Sequence, residues 1–471
     1  MMHWIGLCVW LCATLAHAAL PGYVQDALTK AQLPADSVAI VVQPLDGSAP
    51  LIQHHAGKAM NPASVMKLVT TYAALEALTP AYRWKTEVYR NGSVNQGVLE
   101  GDLILKGYGD PALNVTEFWR LLQQVQQQGI RQIKGNLVLD NTVYMSEVSQ
   151  RPVLDDEPLR AYNASPSALL VNGRNTSFRF SLRQENASPR VMIAQEFELP
   201  QISIVNLVQP RKGVCTDWRA DLRYDVHPQP DGAVTVTFSG SLPDQCDERY
   251  LELSVMSDTQ YAFFTFKKIW QQLGGQFLGG LVIAATPPNT SLVTSWWSPP
   301  LDIVVRDINK WSNNVMARQL MLTVGLEAGL VPVEEASAAL AVKETLRRRG
   351  LQFPELVLEN GSGLSRNERI SAEHLAQLLV TAYQRPVMPV FMASLPILGL
   401  DGTTKKRLAA PGSQGMAYLK TGSLEGVSGI AGYVQDSLGR RYALVMLVNH
   451  PRASAIRPVQ DLLLKRLIEG P

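Results

Sequence analysis

Ala63-Ser64-Val65-Met66-Lys67 leads directly into Leu68-Val69-Thr70-Thr71-Tyr72-Ala73-Ala74-Leu75. The second run is apolar nearly all round, the pattern of a helix buried on every side. On a helix, Ser64 and Lys67 are three residues apart and share a face. A serine hydroxyl is a poor nucleophile until a base takes its proton, and an amine of lowered pKa can do so. The preceding residues suit a helix start, with Asn61 as N-cap and Pro62 as first helical residue. Ser64 then falls in the first turn, where the helix dipole favours developing negative charge. Ser-x-x-Lys alone is a pattern that chance also supplies, so its weight depends on what accompanies it downstream.

The chain has 471 residues, 46% of them hydrophobic and 18% charged, which leaves room for two or three domains. A net charge of +2 without a basic run argues against a nucleic-acid footprint. Residues 1–18 read as a secretory signal, with an apolar core from Ile5 to Leu15 and a small-x-small site at Ala16-His17-Ala18. The alternative is an N-terminal anchor, for which the run is short. No other stretch is apolar enough to span a membrane, so a soluble exported protein is expected. Removing the signal leaves Cys215 and Cys246, an even pair that suggests one disulfide, with two separate buried thiols as the alternative. Two cysteines so far apart, with no His cluster, make a poor metal site, and no metal or cofactor is expected.

Outward from Ser64, Val38–Val42 reads as a strand and Asp46-Gly47 as a turn. The character changes near residue 80. From there to about 290 the pattern is mostly strands, with helices at Glu117 to Gly129 and Ala262 to Leu273, and prolines at 287–288 and 299–300 mark linkers. Beyond 301 the chain turns helical again, and it ends on strands and a closing helix. Met416 to Gly422, Gly429 to Val434 and Arg441 to Val448 are strands, and Ser454 to Ile468 is a helix. The expected organisation is 1–18 as signal and 19–80 with 290–471 as the main domain. An insertion at 81–289 would form two smaller units, about 81–106 with 168–289, and 107–167.

Two further pieces follow Ser64-x-x-Lys67 in order: Ser312-x-Asn314 between helices, and Lys420-Thr421-Gly422 on a strand. Ser-x-Asn also occurs at Ser93-Val94-Asn95 and Ser365-Arg366-Asn367; the copy after the insertion is preferred. This trio is the residue set of serine acyl-transfer enzymes that open β-lactams. In that chemistry Ser64 forms an acyl-enzyme and Lys67 takes its proton. Ser312 relays a proton to the leaving group, and Asn314 holds Lys67 and a substrate amide. Lys420, Thr421 and Ser423 face a substrate carboxylate, and Gly422 lets a substrate backbone approach. The backbone N–H groups of Ser64 and Ser423 would form the oxyanion hole, worth about 3 kcal/mol per donor.

The chain resembles the D-alanyl-D-alanine carboxypeptidase/endopeptidases of the penicillin-binding protein 4 type, the class C low-molecular-mass penicillin-binding proteins. The resemblance covers essentially the whole mature chain. It rests on Asn61–Lys67, Gly101-Asp102-Leu103, Gly109-Asp110-Pro111, Ser312-Asn313-Asn314, Asn360-Gly361-Ser362-Gly363-Leu364-Ser365 and Lys420-Thr421-Gly422-Ser423-Leu424. The gap of 248 residues between Ser64 and Ser312 is also similar to that family, as is the cysteine pair. The resemblance implies an α/β (α+β) fold: a serine β-lactamase/DD-peptidase-like transpeptidase domain, an antiparallel sheet flanked by helices, split by two inserted, mainly β domains. It implies a periplasmic enzyme that cleaves D-Ala–D-Ala ends or D-Ala–diaminopimelate crosslinks of peptidoglycan stem peptides, with β-lactams acylating Ser64. It further implies that the loop at Asp155-Asp156-Glu157 and Tyr162, with Arg366, contacts the stem-peptide side chain; Glu157 is the acid chosen here. A homodimer is compatible with the chain.

Two rival readings remain. A serine β-lactamase or esterase on the same fold would differ in how fast water clears the acyl-enzyme, and the sequence shows no dedicated deacylating base. A non-catalytic cell-wall binding protein would be expected to have lost Ser64, Lys67, Asn314 or Lys420.

Overall fold

The computed structural model describes residues 20–145, 154–155, 157–185 and 188–470. The expected signal segment at 1–18, and Asp156 of the acidic loop, lie outside the described residues. No helix among the described residues is long and apolar enough to cross a membrane.

The two ends of the chain build one five-stranded sheet, in the order Ile52–His54, Val38–Pro44, Arg441–Asn449, Val427–Gln435, Ala417–Leu424. Every neighbouring pair is antiparallel. Side chains alternate across a strand, and both faces are covered. Val38, Ile40, Val42, Leu444 and Met446 pack with the terminal helices Gly22–Ala31 and Arg457–Glu469. Ala39, Val41, Val445 and Leu447 join a larger core with the helices Lys67–Leu78, Leu301–Trp311, Asn314–Glu327, Glu335–Arg348 and Ala372–Tyr383. This explains why the strands read as near-continuous apolar runs. Lys67–Leu78 sits deepest, with every residue from Lys67 to Leu75 buried. Each fully buried Leu or Val there contributes about 1.5–3 kcal/mol, and that burial encloses the Lys67 side chain at the helix start.

Strand pairing groups the insertion differently from the expected split. Leu137–Asp140 pairs with Asp102–Gly107, which pairs with Lys85–Asn91, which pairs with Ser291–Trp297. Leu281–Ile283 adds to the other edge. The helices Val115–Gln127 and Asp258–Gln272 belong with this sheet, so 85–140 and 258–297 form one α/β layer. The strands between 176 and 253 form two three-stranded sheets of their own. The partner of Asp102–Gly107 lies beyond a helix, and strand pattern alone does not name partners. Gln132–Ile133 and Leu137–Asp140 are two short strands in different sheets. Cys215 and Cys246 are joined by a disulfide with their Cα atoms 4.9 Å apart.

Candidate active site

The nucleophile turn departs from the expected helix start by one step. Asn61 accepts the Ala63 N–H on its side-chain Oδ1 at 2.8 Å. Ala63–Met66 then forms a single 3₁₀ turn, and the α-helix begins at Lys67. Pro62 is therefore outside the helix. Ala63 has a left-handed φ of 47° directly before Ser64, a conformation that costs a non-glycine residue about 1–2 kcal/mol. Neighbouring contacts over-determine it. Asn61 donates its side-chain amide to the Ser365 carbonyl at 2.8 Å and exchanges hydrogen bonds with Asn449 at 2.8 and 2.9 Å. Gly363 crosses so close that a Cβ there would lie 1.9 Å from the Ala63 carbonyl oxygen.

Lys67 has three partners. Its Nζ donates to Asn314 Oδ1 at 2.6 Å and to the Ser362 carbonyl at 2.5 Å, and lies 2.9 Å from Ser64 Oγ. Of the three Ser-x-Asn triplets, the one at 312 is thus the one whose asparagine meets the lysine. Ser312 terminates the helix Leu301–Trp311 with a left-handed φ of 58°, and Asn313 caps the next helix by accepting the Met316 N–H at 3.0 Å. The sharp corner between the two helices is what presents Ser312 and Asn314 together. Asn314 Nδ2 points to the Tyr162 carbonyl, 3.4 Å away.

Lys420 reaches the same place from the edge strand Ala417–Leu424. It donates to Ser312 Oγ at 2.8 Å and to the Thr421 carbonyl at 2.7 Å. Thr421 Oγ1 lies 2.8 Å from Thr403 Oγ1. Gly422 passes against the nucleophile turn: a Cβ on it would meet the Pro62 carbonyl oxygen at 2.6 Å and the Ser64 nitrogen at 2.9 Å. Ser423 is exposed on the same strand. The strand backbone just before Ser423 therefore lies beside the backbone of Ser64.

Both amines are fully buried. Burial holds the Lys67 ammonium well below its ordinary range, Lys420 pushes it further down, and Glu368 pulls it up. Burial alone brings Lys420 down to about 7. Both shifts favour the free amine, the form a general base needs. The hydrogen bonds fit that form. A neutral amine has two N–H groups and one lone pair. The two carbonyl-type acceptors take the N–H groups, and the lone pair is left for the Ser64 hydroxyl.

Of the residues expected at the substrate side chain, Tyr162 meets this cluster through its carbonyl, and Asp155, Glu157 and Arg366 have other partners. Glu157 Oε2 accepts the Tyr224 hydroxyl at 2.6 Å. Asp155 accepts from Tyr162 Oη at 2.9 Å and from Asn163 Nδ2 at 2.7 Å. Arg366 lies beyond the edge strand, donating to the Glu425 carbonyl at 2.7 Å and its carboxylate at 3.2 Å. Two clefts reach the site. One of about 580 Å³ is lined by Ser312, Asn314, Tyr162 and the exposed Trp311. Another of about 440 Å³ is lined by Thr403, Thr421, Ser423 and Arg457.

Sequence reasoning gave no role to two groups that the fold brings here, the Ser362 carbonyl and the buried Glu368 carboxylate. The only signal was the glycine-rich run Gly361-Ser362-Gly363, because only a loop without Cβ atoms comes this close to another backbone.

A family model described as the D-Ala-D-Ala carboxypeptidase 3 (S13) family matches residues 20–467. The chain is 26% identical to D-alanyl-D-alanine carboxypeptidase DacB of Haemophilus influenzae, over 90% of this chain and 87% of that protein. It is 29% identical to the D-alanyl-D-alanine carboxypeptidase of an Actinomadura strain, over 92% of this chain and 81% of that one. In structure it is similar to penicillin binding protein 4 (dacB) from Haemophilus influenzae, with TM-score 0.75, 25% identity and coverage of 94% and 99% of the two chains. The same protein complexed with a novel β-lactam aligns with TM-score 0.74.

Proposed function

The chain belongs to the D-Ala-D-Ala carboxypeptidase 3 (S13) family, and on that premise we propose that its serine hydrolase chemistry runs through an acyl-enzyme on Ser64. As a serine-type D-Ala-D-Ala carboxypeptidase, the protein acts on a peptide whose last bond joins two D-alanines. The observation that carries the assignment of residues is the Ser64–Lys67–Asn314 contact set at 2.9 and 2.6 Å, with Lys420 on Ser312 at 2.8 Å.

Ser64 Oγ attacks the carbonyl carbon of the penultimate D-Ala while the Lys67 amine takes its proton. The N–H groups of Ser64 and Ser423 hold the oxyanion. The C–N bond then breaks, and Ser312, with Lys420 as its hydrogen-bond partner, relays to the departing amine the proton that Lys67 took from Ser64. Water attacks the ester and returns Ser64. Lys420, Thr421 and Ser423 bind the leaving residue's carboxylate, and Asn314 binds the amide on the other side of the cut. A β-lactam enters by the same attack, as the complex of the Haemophilus influenzae relative supports. The two clefts leave room for chain on either side of the scissile bond. This supports an endopeptidase reading for D-Ala–diaminopimelate crosslinks as well. In that reading Tyr162, Glu157 and Arg366 border the stem peptide. With the apolar leader at residues 5–15, the place of action is the periplasm.

The test is to incubate the protein with a fluorescent penicillin and, separately, with a diaminopimelate-containing pentapeptide and a crosslinked dimer, beside Ser64→Ala. A stable label and D-Ala release, both lost in the variant, are expected. Fast penicillin turnover with untouched peptide would instead make it a β-lactamase.

A further inference from the structure

Glu368 is 0% exposed. Its Oε1 accepts the consecutive backbone N–H groups of Glu359, Asn360 and Gly361 at 3.1, 3.1 and 3.3 Å. Its Oε2 has no hydrogen-bond partner among the described residues. Three N–H groups converging on one oxygen form an anion-binding nest, built here for a side chain of the same chain. The backbone so gripped continues into Gly361 and Ser362. The Gly361 carbonyl accepts the Thr70 hydroxyl at 2.6 Å, one turn along the nucleophile helix. The Ser362 carbonyl accepts Lys67 Nζ at 2.5 Å. The carboxylate is itself tethered, since the Glu368 N–H donates to Ser365 Oγ at 3.2 Å.

A neutral amide oxygen would satisfy those three N–H groups as well. A buried carboxylate carries a desolvation penalty of several kcal/mol, so its charge needs a counterpart. The counterpart is the buried Lys67 amine. Lys67 acts on Glu368 from the nucleophile helix, and Lys420 acts on Lys67 from the edge strand. Glu359, in the same loop, is engaged elsewhere, with Asn367 Nδ2 at 2.9 Å and Ser365 Oγ at 2.5 Å.

We propose that Glu368 is a positioning residue for the general base: it fixes the Ser362 carbonyl against Lys67 and supplies the buried negative charge that sets how readily Lys67 holds a proton. The inference rests on Lys67 being the base. Burial raises the Glu368 carboxyl to about 7, with Lys67 drawing it back. Ionised Glu368 favours the Lys67 ammonium. Neutral Glu368 favours the free amine that accepts the Ser64 proton.

The experiment is the pH dependence of the second-order acylation rate with fluorescent penicillin, for wild type, Glu368→Gln, Glu368→Ala and Lys67→Met, with folding checked by circular dichroism and melting. Glu368→Gln keeps an oxygen for the three N–H groups and removes the charge. Its acid limb should move to lower pH by about one unit, the size of effect an opposite charge has on a close neighbour. Glu368→Ala also frees the loop and should acylate at least about tenfold more slowly across the whole range. A Glu368→Gln profile that overlays the wild type would sink the electrostatic role, and this variant decides the matter even if Glu368→Ala does not fold. Wild-type rates in folded Glu368→Ala would sink the positioning role. Lys67→Met separates the two levels: if it acylates normally, the base assignment itself falls. If it is inert while Glu368→Gln matches wild type, only the inference about Glu368 falls.

Discussion

The two regions of this molecule fill their interiors differently. The region built from both chain ends buries Lys67, Lys310 and Lys420. Lys310 has Asp401 at 2.6 Å, whereas Lys67 and Lys420 form no ion pair among the described residues. The insertion buries no lysine among its described residues and packs aromatic rings instead. Phe238 meets Phe178 and Phe180 edge-on, with centroids 5.0 and 5.2 Å apart, and Phe266 stacks on Trp270. Such pairs add about 0.5–1.5 kcal/mol each beyond burial, and the Cys215–Cys246 bond closes the same region. One interior is arranged for cohesion. The other keeps amines away from water, which lowers their proton affinity. The price of reactivity is local stability.

Lys67→Met is the strongest way to break that contrast. Acylation should fall by on the order of 10⁴-fold or more, as when one member of a catalytic unit is removed. The melting temperature should rise, because a buried amine without a direct ion pair is replaced by an apolar side chain. A drop in melting temperature on a scanning calorimeter would mean that Lys67 serves cohesion too. On the other side, Cys215→Ser with Cys246→Ser opens a loop with a separation of 31 residues. The expected loss in a denaturant titration is on the order of 3 kcal/mol, with the acylation rate unchanged. A parallel loss of rate would show that the insertion's cohesion reaches the site.

A smaller effect sharpens the contrast by pH. Glu368 and Asp110 are raised by burial to about 7. Folded protein thus holds protons there that unfolded chain has released, and stability from these groups is lost as pH rises from about 4 to 7. Lys420 is lowered to about 7. Its contribution is present above the unfolded lysine range near 10.5 and lost as pH falls to 7. Melting temperature should therefore pass through a shallow minimum near pH 7, and Glu368→Gln should flatten its acid side. A maximum there in wild type would contradict the burial argument.

Much of the site was legible because its parts are local. Lys420-Thr421-Gly422 and its following strands read correctly, since alternation and a hairpin turn are short-range signals. The Asp102–Gly107 partner was not, because a parallel neighbour is reached through a helix. Glu157 and Arg366 are where sequence similarity stops describing contacts. In the fold one holds Tyr224 and the other Glu425, and both are exposed enough for their partners to be set by neighbouring loops.

The amino-acid sequence by itself carried the family and set Ser64 beside Lys67, because residues three apart in one turn meet whatever the rest of the chain does. Only the tertiary structure decided what surrounds that lysine. The Ser362 carbonyl is 295 residues away along the chain, and Glu368 acts through a loop whose hydrogen bonds exist only once the sheet has closed. Burial is a property of the assembled core, so the lowered pKa of Lys67 could not be read from any window of sequence.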